Sequence, residues 1–138
     1  MSEQERRAFL GTGTQTAKVA VSRRDGMPHV VPVWFVLDGD IVVFTTGAGS
    51  VKGRALRRDP RVSVCVDDQT PPFSFVMIEG IATISRDVDE LLVWATQIGA
   101  RYMGDERAEE FGRRNAVPEE LLVRVTPTKI VAVSGMAN

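Results

Sequence analysis

The chain has 138 residues, a net charge of -1, one cysteine and one histidine. That length suits a single domain, residues 1–138, with one modest core. Near-neutral charge argues against a nucleic-acid partner, and no apolar run is long enough to span a bilayer. A lone cysteine excludes an internal disulfide, and a lone histidine excludes a His cluster for a metal. The opening MSEQERRAFL lacks the apolar core of a signal peptide, so a cytoplasmic location is expected.

In chain order, Ser2 to Leu10 reads as a short helix stopped at Gly11. Thr16 to Ser22 alternates as a strand, and Asp25-Gly26 marks a turn. His29 to Leu37, HVVPVWFVL, reads as one long apolar strand interrupted at Pro32. Proline has no N–H for a ladder, so this place belongs at an edge or a bulge, where a ligand ring can approach backbone. Asp38-Gly39 turns the chain into a strand from Ile41 to Thr46.

Thr45 to Arg61, TTGAGSVKGRALRRDPR, carries the clearest chemical signal. A β-branched run ends in a small-residue turn, and a basic helix begins at about Ser50, a fitting N-cap. The first N–H groups of a helix lack internal partners and carry partial positive charge, which suits an anion. At a helical period Lys52 shares a face with Ala55 and Leu56, while Arg54, Arg57, Arg58 and Arg61 share the opposite, solvated face. An inward lysine in a first turn either snorkels out or meets an anion, and phosphate is the better reading. Gly47, Gly49 and Gly53 imitate a dinucleotide fingerprint, but the spacing is off by one and the hairpin-linked strands before it do not make a parallel sheet.

Val62 to Val66 is a short strand whose Cys65 reads as a small buried hydrophobe. Asp67 to Pro72 is a loop, and Phe73 to Ser85 is a strand with Gly80 marking a bulge or close packing. A helix from Asp87 or Asp89 to about Met103 carries an apolar stripe of Leu91, Ala95, Ile98 and Tyr102, joined by Trp94. Glu106 to Asn115 forms a second helix, with acids up to Glu120 that balance the arginine cluster. Leu121 to Thr126 and Lys129 to Ser134 are the last strands, divided by Pro127. Six or seven strands joined by tight turns favour a mainly β (α+β) fold, an antiparallel barrel with peripheral helices.

DGMPHVVPVWFVLDGDIVVFTT, then SVKGRALRRDPRVSVCVDD, then FSFVMIEGIATI, in that order and spacing, resembles the pyridoxamine-phosphate-oxidase-like split β-barrels. The LRRDPR stretch is similar to the branch that uses the deazaflavin coenzyme F420, with FMN as the alternative cofactor. The resemblance implies a homodimer with the cofactor in an interface groove. Its phosphate end would meet Thr45, Thr46, Ser50, Val51 and Lys52, and its ring would lie along Val30, Val31, Pro32, Val33 and Trp34. Phe73, Ser74 and Phe75 of the second subunit would cover it. Some relatives carry a second basic residue where this chain has Ser50, which implies either weaker phosphate binding or help from Arg54. The implied activity is hydride transfer from reduced deazaflavin to a small conjugated or unsaturated substrate. The alternatives are an FMN oxidoreductase and a non-catalytic carrier or sensor. Solvent, His29 and Tyr102 are the candidate proton sources, although a lone histidine is more often a satisfied or surface residue. Phe73 and Phe75, on one strand face, read equally as ligand cover or as core.

Overall fold

A computed structural model describes residues Met1–Asn138. Helix α1 (Glu3–Gly11) leads into strands β1 (Ala17–Ser22), β2 (Pro28–Val33), β3 (Val36–Asp38) and β4 (Ile41–Gly47). Helix α2 (Val51–Arg58) follows, then β5 (Arg61–Asp68) and β6 (Ser74–Ser85). Helices α3 (Val88–Met103) and α4 (Ala108–Asn115) precede the last strand, β7 (Glu120–Val133).

The strands form one seven-stranded antiparallel sheet in the order β2-β1-β5-β6-β7-β4-β3. β2 and β3 stand at opposite ends of that order, yet only Trp34 and Phe35 separate them in the chain. A link this short holds the two ends together, so the sheet curls into a barrel. The HVVPVWFVL run is therefore not one regular strand. Its first part pairs with β1 and its last part with β4, and the break falls at Trp34–Phe35, after Pro32. Pro32 stays inside β2, opposite Lys18, on a strand with a single partner; that is the edge position proline requires.

Alternation fills the interior. Val19, Val42, Phe44, Val64, Val76, Ile78, Leu121 and Val123 belong to one buried cluster, which Leu10 of α1 and Ala55 and Leu56 of α2 also join. On the outside, Val43 and Leu122 lie under Leu91 of α3. Two strand boundaries differ from the expectation. β5 extends through Asp68, shortening the following loop, because Asp67 and Asp68 pair with Phe75 and Ser74. β7 is continuous through Pro127, which sits opposite Gly80 where the β6–β7 register shifts. Glu79 faces Lys129 and Gly80 faces Pro127, so Thr128 is an extra residue. It moves the inward positions of β7 from Leu121, Val123 and Val125 to Ile130 and Ala132. The bulge spares the ladder a proline donor, and a Cβ at Gly80 would strike the Thr126 carbonyl at 2.6 Å.

Beyond the bulge β7 leaves the flank that α3 covers and joins an open outer face. Pro32, Lys18, Cys65, Met77 and Val131 stand side by side there across five strands. Cys65 is thus half-exposed on the barrel's exterior rather than buried in the core, and burial still pushes its thiol pKa up.

Candidate functional site

The helix start takes the expected form. Ser50 caps α2, its hydroxyl accepting from the Gly53 N–H at 3.0 Å and donating to the Gly47 carbonyl at 2.8 Å. Thr46 is buried at 5 % exposure and lies 3.0 Å from the Ser50 hydroxyl. Gly53 is needed for packing: any Cβ there would collide with the Gly47 carbonyl, so the helix sits directly on the turn. That contact explains Gly53, the last glycine of the spacing that imitated a nucleotide motif.

Lys52 is half-buried on the side of α2 shared with the buried Ala55 and Leu56, and burial lowers its pKa. Glu120 is the charge that opposes it. Glu120 opens β7 opposite Gly47, and burial raises its pKa despite the Thr45 hydroxyl and Lys52 beside it. Each group is thus shifted toward its neutral form, so their mutual attraction is smaller than the loss of hydration. Sequence patterning offered no sign of Glu120, because it reaches Lys52 only through the β4–β7 ladder.

The β2 run divides by alternation. Val31 and Val33 turn inward, Val33 packing on the barrel core, while Val30, 62 % exposed, and Pro32 face outward. Trp34 has left the ladder. It stacks on Tyr102 with centroids 5.0 Å apart and planes 4° from parallel, and it tilts against Phe111. At Phe35 the backbone N–H donates to the Tyr102 hydroxyl at 3.2 Å, and the carbonyl accepts from Arg101 at 2.8 Å. These α3 side chains satisfy backbone groups that the β3–β4 ladder abandons. The barrel is split at this point. β2 keeps a free edge, and Thr45, Thr46 and Gly47 lie beyond the last β3–β4 pair, Val36–Val43.

Tyr102 is fully engaged, because its hydroxyl also donates to the Gln15 carbonyl at 2.7 Å and burial raises its pKa. It is a structural group rather than a free acid. His29 is not the satisfied histidine expected, since its Nδ1 is buried without a hydrogen-bond partner. It lines a groove of about 660 Å³ with Arg23, Arg24, Val51, Arg54 and Arg58. The arginines of α2 are exposed but not all idle: Arg57 donates to the Ala48 carbonyl and Arg58 to the Ser22 carbonyl, each at 2.6 Å. Arg61 is outside the helix and pairs with Asp59, whose pKa it pulls down to about 2. The acids of α4 offset this cluster only in net charge, because Glu109 and Glu110 pair with Arg113 and Arg107 beside them.

Phe73 and Phe75 do not share a strand face. Phe75 lies in β6 opposite Asp67 and Val133, whereas Phe73 precedes the strand at φ 65° and is 39 % exposed. A phenylalanine at positive φ is strained. The Met136 and Ala137 N–H groups donate to the Phe73 and Pro72 carbonyls at 2.9 and 3.0 Å and hold it there. Ser74 opens β6 opposite Asp68. Phe73, Ser74 and Phe75 are thus grouped at one end of the open face, apart from the Ser50–Lys52 turn in sequence and in sheet order.

Comparison with known proteins agrees with this fold. The family described as Pyridoxamine 5'-phosphate oxidase matches residues 2–134. A conserved hypothetical protein, Rv2991 of Mycobacterium tuberculosis, is 30% identical with a TM-score of 0.83, over 96% of this chain and 84% of the other. A structure described as an F420 reductase is 23% identical, TM-score 0.71, over 90% and 94%. The heme storage protein HutZ of Vibrio cholerae is 19% identical, TM-score 0.76, over 99% and 98%. The last two likenesses are of fold. No curated protein matches the sequence.

Proposed function

The chain belongs to the pyridoxamine 5'-phosphate oxidase family, with the split-barrel fold of its oxidoreductases, and from that premise we propose that it is an F420-dependent reductase. One observation carries the reading: a half-buried lysine, shifted toward neutrality, beside a serine-capped helix start at the mouth of the split. A phosphate there would gain the Ser50–Lys52 turn and stabilise the charged form of Lys52, which burial disfavours. The arginine-lined groove beginning at Val51 and Arg54 favours a cofactor with an anionic extension beyond its phosphate over FMN.

When bound, the deazaflavin supplies two-electron hydride transfer. The protein's part is to orient and to exclude water. The free edge of β2 at Val30–Pro32 offers backbone to the polar rim of a ring, and Trp34, fixed by Tyr102, borders that edge. Val31 and Val33 hold the strand to the barrel from inside. The open face, with exposed Val30 and half-exposed Cys65, Met77 and Val131, is the surface a second copy would cover. Phe73, Ser74 and Phe75 would then close the groove of the other subunit. Tyr102 is excluded as proton donor by its own hydrogen bonds, so solvent or His29 supplies the proton that completes reduction.

The test is to titrate the protein with F420 and with FMN, then to mix it with reduced F420 and a panel of enones and quinones. Tight F420 binding with oxidation of the reduced form by one substrate class is expected. Preferential FMN binding would move the assignment to a flavin oxidoreductase, and tight F420 binding without turnover on any substrate would mean a carrier.

A further inference from the structure

Lys52 already has an internal rival for any incoming anion. We propose that Glu120 governs the anion affinity of this site, opposing an incoming phosphate from across the Gly47 turn and making phosphate capture dependent on pH. The inference rests on the reading of Lys52 as the phosphate contact.

Register places the carboxylate. Glu120 faces Gly47 across the β4–β7 ladder, and its Oε1 lies 3.6 Å from where a Cβ at Gly47 would be. The carboxylate therefore leans over the strand end that precedes the Ser50-capped turn. Around it, β4 contributes the neutral Thr45 hydroxyl and α2 contributes Lys52. Arg124, further along the same face of β7, is held by Glu90 at 3.0 Å and does not serve Glu120. The ammonium and carboxylate are both half-buried, each is the charge that acts on the other, and they stand too far apart for a direct ion pair.

A phosphate arriving at Ser50–Lys52 brings negative charge next to Glu120. While Glu120 is ionised, the two anions compete for one cation. Once protonated, Glu120 no longer opposes the ligand and has a hydroxyl to donate to it. Burial has moved this carboxyl upward, so the competition is relieved at a pH higher than an ordinary glutamate would need. Anion affinity should rise as pH falls through that range.

The full chain would be titrated with F420 and with its phosphate-free deazaflavin core from about pH 5 to about pH 8, above the ordinary carboxyl range. For the wild type, F420 affinity should rise as pH falls, while affinity for the core stays flat. Glu120→Gln keeps the shape of the side chain and should bind F420 about tenfold tighter at the alkaline end, without that slope. If Glu120→Gln binds F420 no more tightly, or keeps the slope, the inference is overturned. Lys52→Ala separates the two ideas. Weakened F420 binding in Lys52→Ala, with no tightening in Glu120→Gln, removes the role of Glu120 alone. Unchanged F420 binding in Lys52→Ala, or no F420 binding by the wild type, removes both.

Discussion

The two flanks of the barrel contrast sharply. Under α3, Val43, Leu91 and Leu122 are fully buried, Glu90 holds Arg124, and Arg101 and Tyr102 occupy stray backbone groups. On the open side the outward residues are half-exposed, Val30 is 62 % exposed, and the Lys52–Glu120 pair at the split is shifted toward neutrality. The covered flank is complete within one chain and acts as scaffold. The open side and the split carry apolar surface and poorly compensated charge, which is where a ligand or a second copy gains most.

Substitutions should separate the flanks. Leu91→Ala should destabilise by about 2–5 kcal/mol in denaturant titration, because it empties a packed contact between α3 and the sheet. Val30→Ala should leave the unfolding midpoint nearly unchanged while weakening cofactor binding or self-association. An equally large loss of stability for Val30→Ala would erase the distinction. Lys52→Ala should weaken F420 binding by about 10- to 100-fold, the weight of a charged hydrogen bond, with little change in melting temperature. At Phe73, glycine should relieve backbone strain and stabilise by about 1 kcal/mol while loosening ligand binding. Lower stability together with intact binding would make Phe73 a packing residue.

The smallest effect is a slope with pH. A carboxyl whose folded pKa is raised holds its proton better in the folded state, so its contribution to stability is full below the ordinary carboxyl pKa. It is lost as pH rises through the folded value. Wild-type stability should therefore decline with pH above the ordinary carboxyl range, and Glu120→Gln should flatten that decline in thermal melts. Lowered carboxyls such as Asp59, at about 2, act oppositely and at lower pH, where stability is lost as pH falls.

Features written within a few residues were legible from sequence: the Ser50 cap, the inward side of Lys52, the edge placement of Pro32 and the bulge at Gly80. Each follows from the chemistry of one residue and its immediate neighbours. The departures came from pairing between distant segments. Proline at 127 looked like a strand end, but the bulge at Thr128 beside it, opposite Gly80, accommodates the missing donor. Phe73 looked like part of β6 until the residues at 136 and 137 bent it out of line. Glu120 reads as an ordinary surface acid until the ladder sets it against the Gly47 turn.

Trp34 and Phe35 form the hinge pin of the barrel, and the hydrogen bonds fastening it come from adjacent residues of a single helix, Arg101 and Tyr102. Arg101 also ties down the Leu10 and Gly13 carbonyls beside α1. A disturbance that peels α3 from the sheet would consequently unlatch the N-terminal helix and the cleft together. Amide exchange at Phe35 should track the opening of α3 rather than the opening of either strand that flanks it.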